Sequence, residues 1–276
     1  MEVISLQSGS NGNSFYVKVA GKQFLFDAGI SGALAEKRLA HHNRNIREID
    51  GLFISHSHRD HSKSMGIFHR KFGHPVFVTE KTLLGARRDN KLGVINDLHL
   101  FHCGETIDFG DVQIHTIPTP HDADDSVAFV IEHHERRLGI LTDIGHAFDG
   151  LREVLRLLDA VIIESNYDPE MLRKSRYPIW LKRRVSGDGG HLSNDDSAIA
   201  LKTSGADNLQ WACLCHLSAE NNCPELAVET HRRLLGNDLP IHVASRYDVG
   251  AVLTIDYNQP STGPWQLEQR PTGKTL

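Results

Sequence analysis

Cysteine is scarce. The 276 residues contain only Cys103, Cys213, Cys215 and Cys223, and no two form a CxxC pair. That leaves no paired-thiol metal or redox motif, and it fits a reducing, cytoplasmic setting. Long apolar runs are also missing. None approaches the roughly 20 residues needed to span a bilayer, so no membrane association is expected. The N-terminus MEVISLQSGSNG has no basic stretch followed by an apolar core, so no signal peptide is expected. Excess positive charge is absent too: the formal net charge is −5, which argues against a surface coated with basic side chains but leaves room for a local nucleic-acid groove. The turn Ser8–Asn13 lacks the GxxxxGK[ST] pattern, so ATP binding is not expected, and a tight turn lining a cleft explains it better. What the chain does have is histidine, 18 in all.

Short strands are predicted at Val3–Leu6, Ser14–Val19 and Gln23–Phe26, a surface helix or loop at Ala33–Arg44, and a strand at Ile49–Ser55. A helix is expected at Ser62–Phe72, a strand at Pro75–Thr79, a helical turn or two at Lys81–Arg88, and two or three strands within Asp97–Ile117. Val127–Glu132 and Arg137–Thr142 suit a hairpin, and Gly150–Leu158 is amphipathic at helical spacing. Strands at Ala160–Glu164, Leu209–Cys215 and Ile241–Ala244, with helices at Asp196–Thr203 and Pro224–Leu235, complete the second half. Both halves thus read as strands followed by helices. That pattern suggests an α/β four-layer αββα sandwich, two sheets face to face with helices outside, in one domain over residues 1–260 and a polar tail at 261–276.

The chemistry concentrates in SHSHRDHS, residues 55–62, directly after Leu52, Phe53 and Ile54. In an extended chain alternate side chains share a face, so His56 and His58 can meet one metal, while Asp60 and His61, at a helix start, can meet a second. Three downstream residues sit where an apolar strand runs out: His121 in PTPHDADDS, Asp143 in GILTDIGH and His216 in WACLCHLS. Taken singly, His121 suits a solvated turn and Asp143 an N-cap. Taken together they make one site: His56, His58 and His121 on one ion, Asp60, His61 and His216 on the other, and Asp143 shared. Imidazole and carboxylate ligands suit zinc or manganese, and also iron.

The stretches SGSNGNSF (8–15), FLFDAGIS (24–31), SHSHRDHS (55–62), PTPHDADDS (118–126), ILTDIGH (140–146), IIESNYDPEML (162–172), GGHLSNDDSA (189–198) and CLCHLSAENNCPELA (213–227) resemble the metallo-β-lactamase superfamily and, within it, the WalJ/YycJ-like group of hydrolases. The resemblance covers nearly the whole chain except its tail. It implies the four-layer fold and a centre of two divalent ions, with all seven expected metal positions matched here. It also implies His191, in a GHS-like motif, as the proton donor to a leaving group, although His191 equally suits a helix cap. Asp60 is expected to orient the attacking hydroxide as well as bind metal, and Glu164 to orient a histidine from behind.

The segment Met171–Arg184 carries six basic residues with Tyr177 and Trp180 interspersed, a composition suited to holding phosphates and stacking bases. A solvated helix or loop pinned by its aromatics explains the same residues. The expectation is a dinuclear metal-dependent phosphodiester hydrolase with nucleic acid as substrate, a nuclease and, by the resemblance, a DNA exonuclease. The alternatives are a small-molecule hydrolase of a cyclic phosphodiester, thioester or lactam, and a non-catalytic module with structural metal. Structural zinc is usually closed by four ligands, so seven candidate ligands over two ions favour catalysis.

Overall fold

The computed structural model describes residues 1–205, 208–259 and 265. Two mixed seven-stranded sheets form its centre. The first contains β1 (Glu2–Gln7), β2 (Ser14–Val19), β3 (Lys22–Phe26), β4 (Gly51–Phe53), β5 (Val76–Val78), β6 (Leu98–Leu100) and β14 (Leu253–Thr254), in the order β14-β1-β2-β3-β4-β5-β6. The second contains β7 (Thr106–Asp108), β8 (Gln113–Pro118), β9 (Val127–His133), β10 (Arg136–Leu141), β11 (Ala160–Glu164), β12 (Trp211–Cys215) and β13 (Ile241–Val243), in the order β13-β12-β11-β10-β9-β8-β7. The two sheets share one plan. β14 through β3 pair antiparallel and β3 through β6 parallel, while β7 through β10 pair antiparallel and β10 through β13 parallel.

Strand composition follows from the layering. A sheet covered on both faces has no solvent side, so its strands are apolar at nearly every position. In β2, Phe15, Val17 and Val19 enter the core between the sheets, while Tyr16 points to the helices outside. In β12, Trp211, Cys213 and Cys215 face inward, and Ala212 and Leu214 face outward. The two cysteines therefore share one face, as the period-2 rule requires. Helices α1 (Gly32–His41), α3 (Met65–Phe72) and α4 (Glu80–Asp89) cover the first sheet, with Leu39, Phe68 and Leu83 in the outer core. Helices α5 (Asp149–Arg156), α8 (Asn194–Thr203) and α9 (Pro224–Leu235) cover the second, with Leu155, Leu201 and Ala227. The result is the four-layer sandwich, two sheets flanked by helices.

Several local expectations change. The single helix expected at Ser62–Phe72 is two: the short α2 (Arg59–Ser62), then α3 after a break at Lys63 and Ser64. The break is held from outside, because Ser64 N donates to Ala28 O at 3.0 Å. The basic segment folds as α6 (Pro169–Lys174) and α7 (Ile179–Val185). The expected tail at 261–276 lies outside the described residues save Trp265, whose ring stacks on His115 at 4.6 Å between centroids. No helix among the described residues is long and apolar enough to cross a membrane.

Candidate metal centre

The site lies where parallel strands of both sheets run out. Beyond β3 comes Asp27, beyond β4 His56 and His58, beyond β10 Asp143, and beyond β12 His216, while Glu164 is the last residue of β11. Crevices outside the carboxyl ends of parallel strands are where open α/β sheets place their ligands. Three of these residues, Asp27, Asp143 and His216, have positive φ of 66°, 52° and 56°. A non-glycine residue in the left-handed region is uncommon and clusters at functional sites.

All seven proposed ligands converge, in overlapping groups. His56, His58 and His121 form one, with ligand atoms within 4.8 Å of one another. Asp60, His61 and His216 form another, and Asp143 joins His56 and His61 in a third. In the imidazole group, His121 Nε2 faces His58 Nδ1 at 3.1 Å. Two nitrogens around one zinc ion at about 2.05 Å would stand roughly 3.3 Å apart. In the mixed group, Asp60 Oδ2 lies 3.3 Å from His216 Nε2, and Asp143 Oδ2 lies 3.0 Å from His61 Nε2. The other Asp143 oxygen faces the imidazole group, 3.7 Å from His121 Nε2.

The residues suit cations on physical grounds. His56 Nε2 is buried, aimed into the site and without a hydrogen-bond partner among the described residues, and the equally buried Asp143 Oδ2 has the His61 ring beside it at 3.0 Å. Stranding an atom such as His56 Nε2 is expensive unless an ion or water meets it. Four of the rings are also supported from behind. Asp27 Oδ2 holds His61 Nδ1 at 2.6 Å, and Glu164 Oε1 holds His216 Nδ1 at 3.1 Å and His191 Nδ1 at 2.7 Å. His121 Nδ1 donates to Gly190 O at 3.0 Å. A carboxylate or carbonyl on the far nitrogen fixes the tautomer and turns the near lone pair toward a metal. His61 Nε2 also lies 2.9 Å from Asn13 Nδ2.

Electrostatics divides the two groups. Burial pushes the pKa values of His56, His58 and His121 down, and repulsion from neighbouring histidine rings adds to it, so these three rings stay neutral. Burial acts the same way on His61 and His216. There the carboxylates outweigh it: Asp143, Asp27 and Asp60 raise His61 well above its usual value, and Asp143, Asp60 and Glu164 raise His216 to about 10. Conversely, burial would lift Asp60 and Glu164, but His61 and His216 hold the first, and His191 and His216 the second, at about 2. The mixed group therefore carries full negative charges that draw positive charge to one spot.

Sequence reasoning missed Asp27, although KQFLFD carries the same signal as GILTD, an apolar strand ended by a carboxylate. It also missed Asp122, whose Oδ1 lies 3.4 Å from His58 Nε2 while its Oδ2 accepts from Arg184 Nε at 2.7 Å. No local signal in the sequence joins these two. The cleft above the centre has a volume of ≈ 450 Å³; His191, Asn166, Arg59, Tyr177 and Arg184 contribute to its walls.

The fold and these clusters define a metal-dependent hydrolase architecture with room for one or two ions. The Beta-lactamase superfamily domain matches residues 22–214, and the chain belongs to that superfamily. The Exodeoxyribonuclease YycJ of Bacillus anthracis is 36% identical over 224 residues, covering 80% of this chain and 84% of that protein. The Exodeoxyribonuclease WalJ of Streptococcus pneumoniae is 37% identical over 224 residues, 80% of this chain and 83% of that protein. Among solved structures, the metallo-β-lactamase fold protein YhfI from Bacillus subtilis superposes with a TM-score of 0.69 at 14% identity, covering 90% of this chain and 98% of that one. That likeness concerns the fold.

Proposed function

We propose that the protein is a dinuclear metal-dependent phosphodiesterase acting on nucleic acid, with DNA exonuclease action favoured by the names of its YycJ and WalJ relatives. The observation that carries this reading is a buried histidine–carboxylate centre opening into a cleft walled by Tyr177 and Arg184 of the basic segment. Zinc or manganese ions, or iron, held by His56, His58, Asp60, His61, His121, Asp143 and His216 would supply an activated water and neutralise charge developing on the attacked phosphate.

The chain's own residues have distinct roles in this reading. Asp60, 20% exposed at the cleft floor, accepts a hydrogen bond from the attacking water and holds it in line. His191 gives its Nδ1 to Glu164, leaving Nε2 to deliver a proton to the leaving oxygen. Glu164 is fully buried and ionised, and its other oxygen is fixed by Ile144 N and Leu192 N at 3.0 and 3.1 Å, so it holds the His191 ring in place. Arg59 and Arg184 at the walls, with Arg176 and Arg183 exposed beyond them, suit a polyanionic strand. The protein is proposed to work in the cytoplasm as one domain over residues 1–260.

The test is hydrolysis of bis-p-nitrophenyl phosphate with and without added zinc or manganese, followed by end-labelled single- and double-stranded DNA and RNA. His58→Ala is expected to lower turnover by about a thousandfold or more. Undiminished turnover in that variant would sink the mechanism.

A further inference from the structure

We propose that a second cavity, behind the loop 216–223, is a base-binding subsite that takes a nucleobase of the strand whose phosphodiester lies over the metal centre. The inference rests on the phosphodiesterase reading above. The cavity measures ≈ 370 Å³, within the roughly 300–1,000 Å³ of small-molecule sites. It adjoins the catalytic cleft: Ser218 lines both, and along the same loop Asn221 faces the cleft while Asn222 faces the cavity. A strand crossing Ser218 has its phosphate on one side and a base on the other.

The chemistry of the walls fits a heteroaromatic ring on an anionic backbone. The floor is apolar, built from Leu217, Pro224, Val243 and Ala244. At the rim stands Tyr247, a large aromatic residue 69% exposed, although the buried Arg38 side chain holds its backbone carbonyl. An exposed ring on an anchored backbone is a stacking platform, and stacking tolerates any base. Among the described residues the lining contains no carboxylate and one cation, Arg246. Its guanidinium is planted by a bond from Nη1 to Leu217 O at 2.8 Å, while its buried Nε makes no hydrogen bond.

The cavity is also tied rigidly to the metal centre. Ser8 N donates to Ser245 O at 2.9 Å, and Ser8 Oγ accepts from His216 N at 2.8 Å. Asn222 Nδ2 pins the loop to Ser165 O and Asn166 O at 2.9 and 3.1 Å. The distance from a stacked base to a phosphate near His216 is therefore set in advance, which lowers the ordering required on binding.

The test uses the full chain and a short phosphorothioate-linked DNA strand carrying one 2-aminopurine, with binding followed by quenching of its fluorescence. Two variants spare the metal centre: Tyr247→Ala removes the platform, and Ala219→Trp blocks the mouth from an exposed loop position. Each is expected to weaken binding about tenfold and to reduce the quenching. Wild-type affinity and quenching in both variants would overturn the subsite. So would a wild-type protein that hydrolyses bis-p-nitrophenyl phosphate but leaves 2-aminopurine emission unchanged, and the phosphodiesterase reading would then stand. Failure of the wild type to hydrolyse bis-p-nitrophenyl phosphate would overturn that reading, and the subsite with it.

Discussion

The two halves of the metal centre are built differently. The imidazole group uses three neutral rings. Its outer support comes from a serine hydroxyl, a backbone carbonyl and the half-exposed Asp122, and the His58 side chain keeps 30% of its surface in solvent. The mixed group is about as buried, with Asp60 keeping 20% of its side chain in solvent, but its rings are backed by carboxylates that are themselves buried, Asp27 and Glu164. Charge and rigidity both predict that a cation is held more tightly in the mixed group, and that the imidazole group exchanges its cation and faces substrate more readily.

The largest effect that would sharpen this contrast is expected at Gly29. A Cβ there would stand 1.6 Å from Asp60 O and 2.6 Å from Asn13 N, so Gly29→Ala must displace the turn carrying Asp60. The expected outcome is a loss of about 3 kcal/mol or more in stability, with the metal of the mixed group lost before that of the imidazole group. Urea unfolding and metal analysis measure both, and equal loss of the two equivalents would break the contrast.

Next come the two backing carboxylates. Asp27→Asn and Glu164→Gln are each expected to weaken the tighter metal by about 10- to 100-fold. Asp27 touches only His61 among the proposed ligands, so its variant should recover turnover at saturating metal. Glu164 also holds His191, so its variant should stay slow even when loaded. Metal titrations paired with turnover at saturation separate the two, and recovery in both would remove His191 from the mechanism.

The smallest effect lies outside the centre. Glu132 accepts from His115 and Arg137, each at 3.0 Å. Burial would raise its pKa, but these partners hold it at about 2 against an ordinary 4.5. A lowered carboxylate contributes stability that is present above about pH 4.5 and lost as the pH falls toward about 2. Glu132→Gln should flatten that acid limb by about 1–2 kcal/mol, after discounting for partial exposure, with metal content unchanged. An acid limb as steep as that of the wild type would place the stabilisation elsewhere.

Much of this was legible in the residues. A strand covered on both faces has few reasons to carry a polar side chain, so Asp143, Glu164 and His216 stood out at the ends of apolar runs. The sandwich was readable from the order of elements, strands followed by helices in each half of the chain. Partnerships were not legible. Asp27 shows the right pattern, but its purpose depends on His61, 34 residues away, and the ion pair of Asp122 with Arg184 spans 62 residues. The short α2 and the break before α3 were equally hidden, because contacts with residues 27–29 set them rather than local propensity.

The left-handed backbone at Asp27, Asp143 and His216 sets a boundary on how this chain can change. Glycine would adopt each of those conformations without steric penalty, and no other exchange would relax the main chain so readily. Yet glycine has no side chain to offer a cation or a neighbouring ring. Drift toward conformational ease at these three positions would end in a well-folded sandwich with an empty, unreactive mouth.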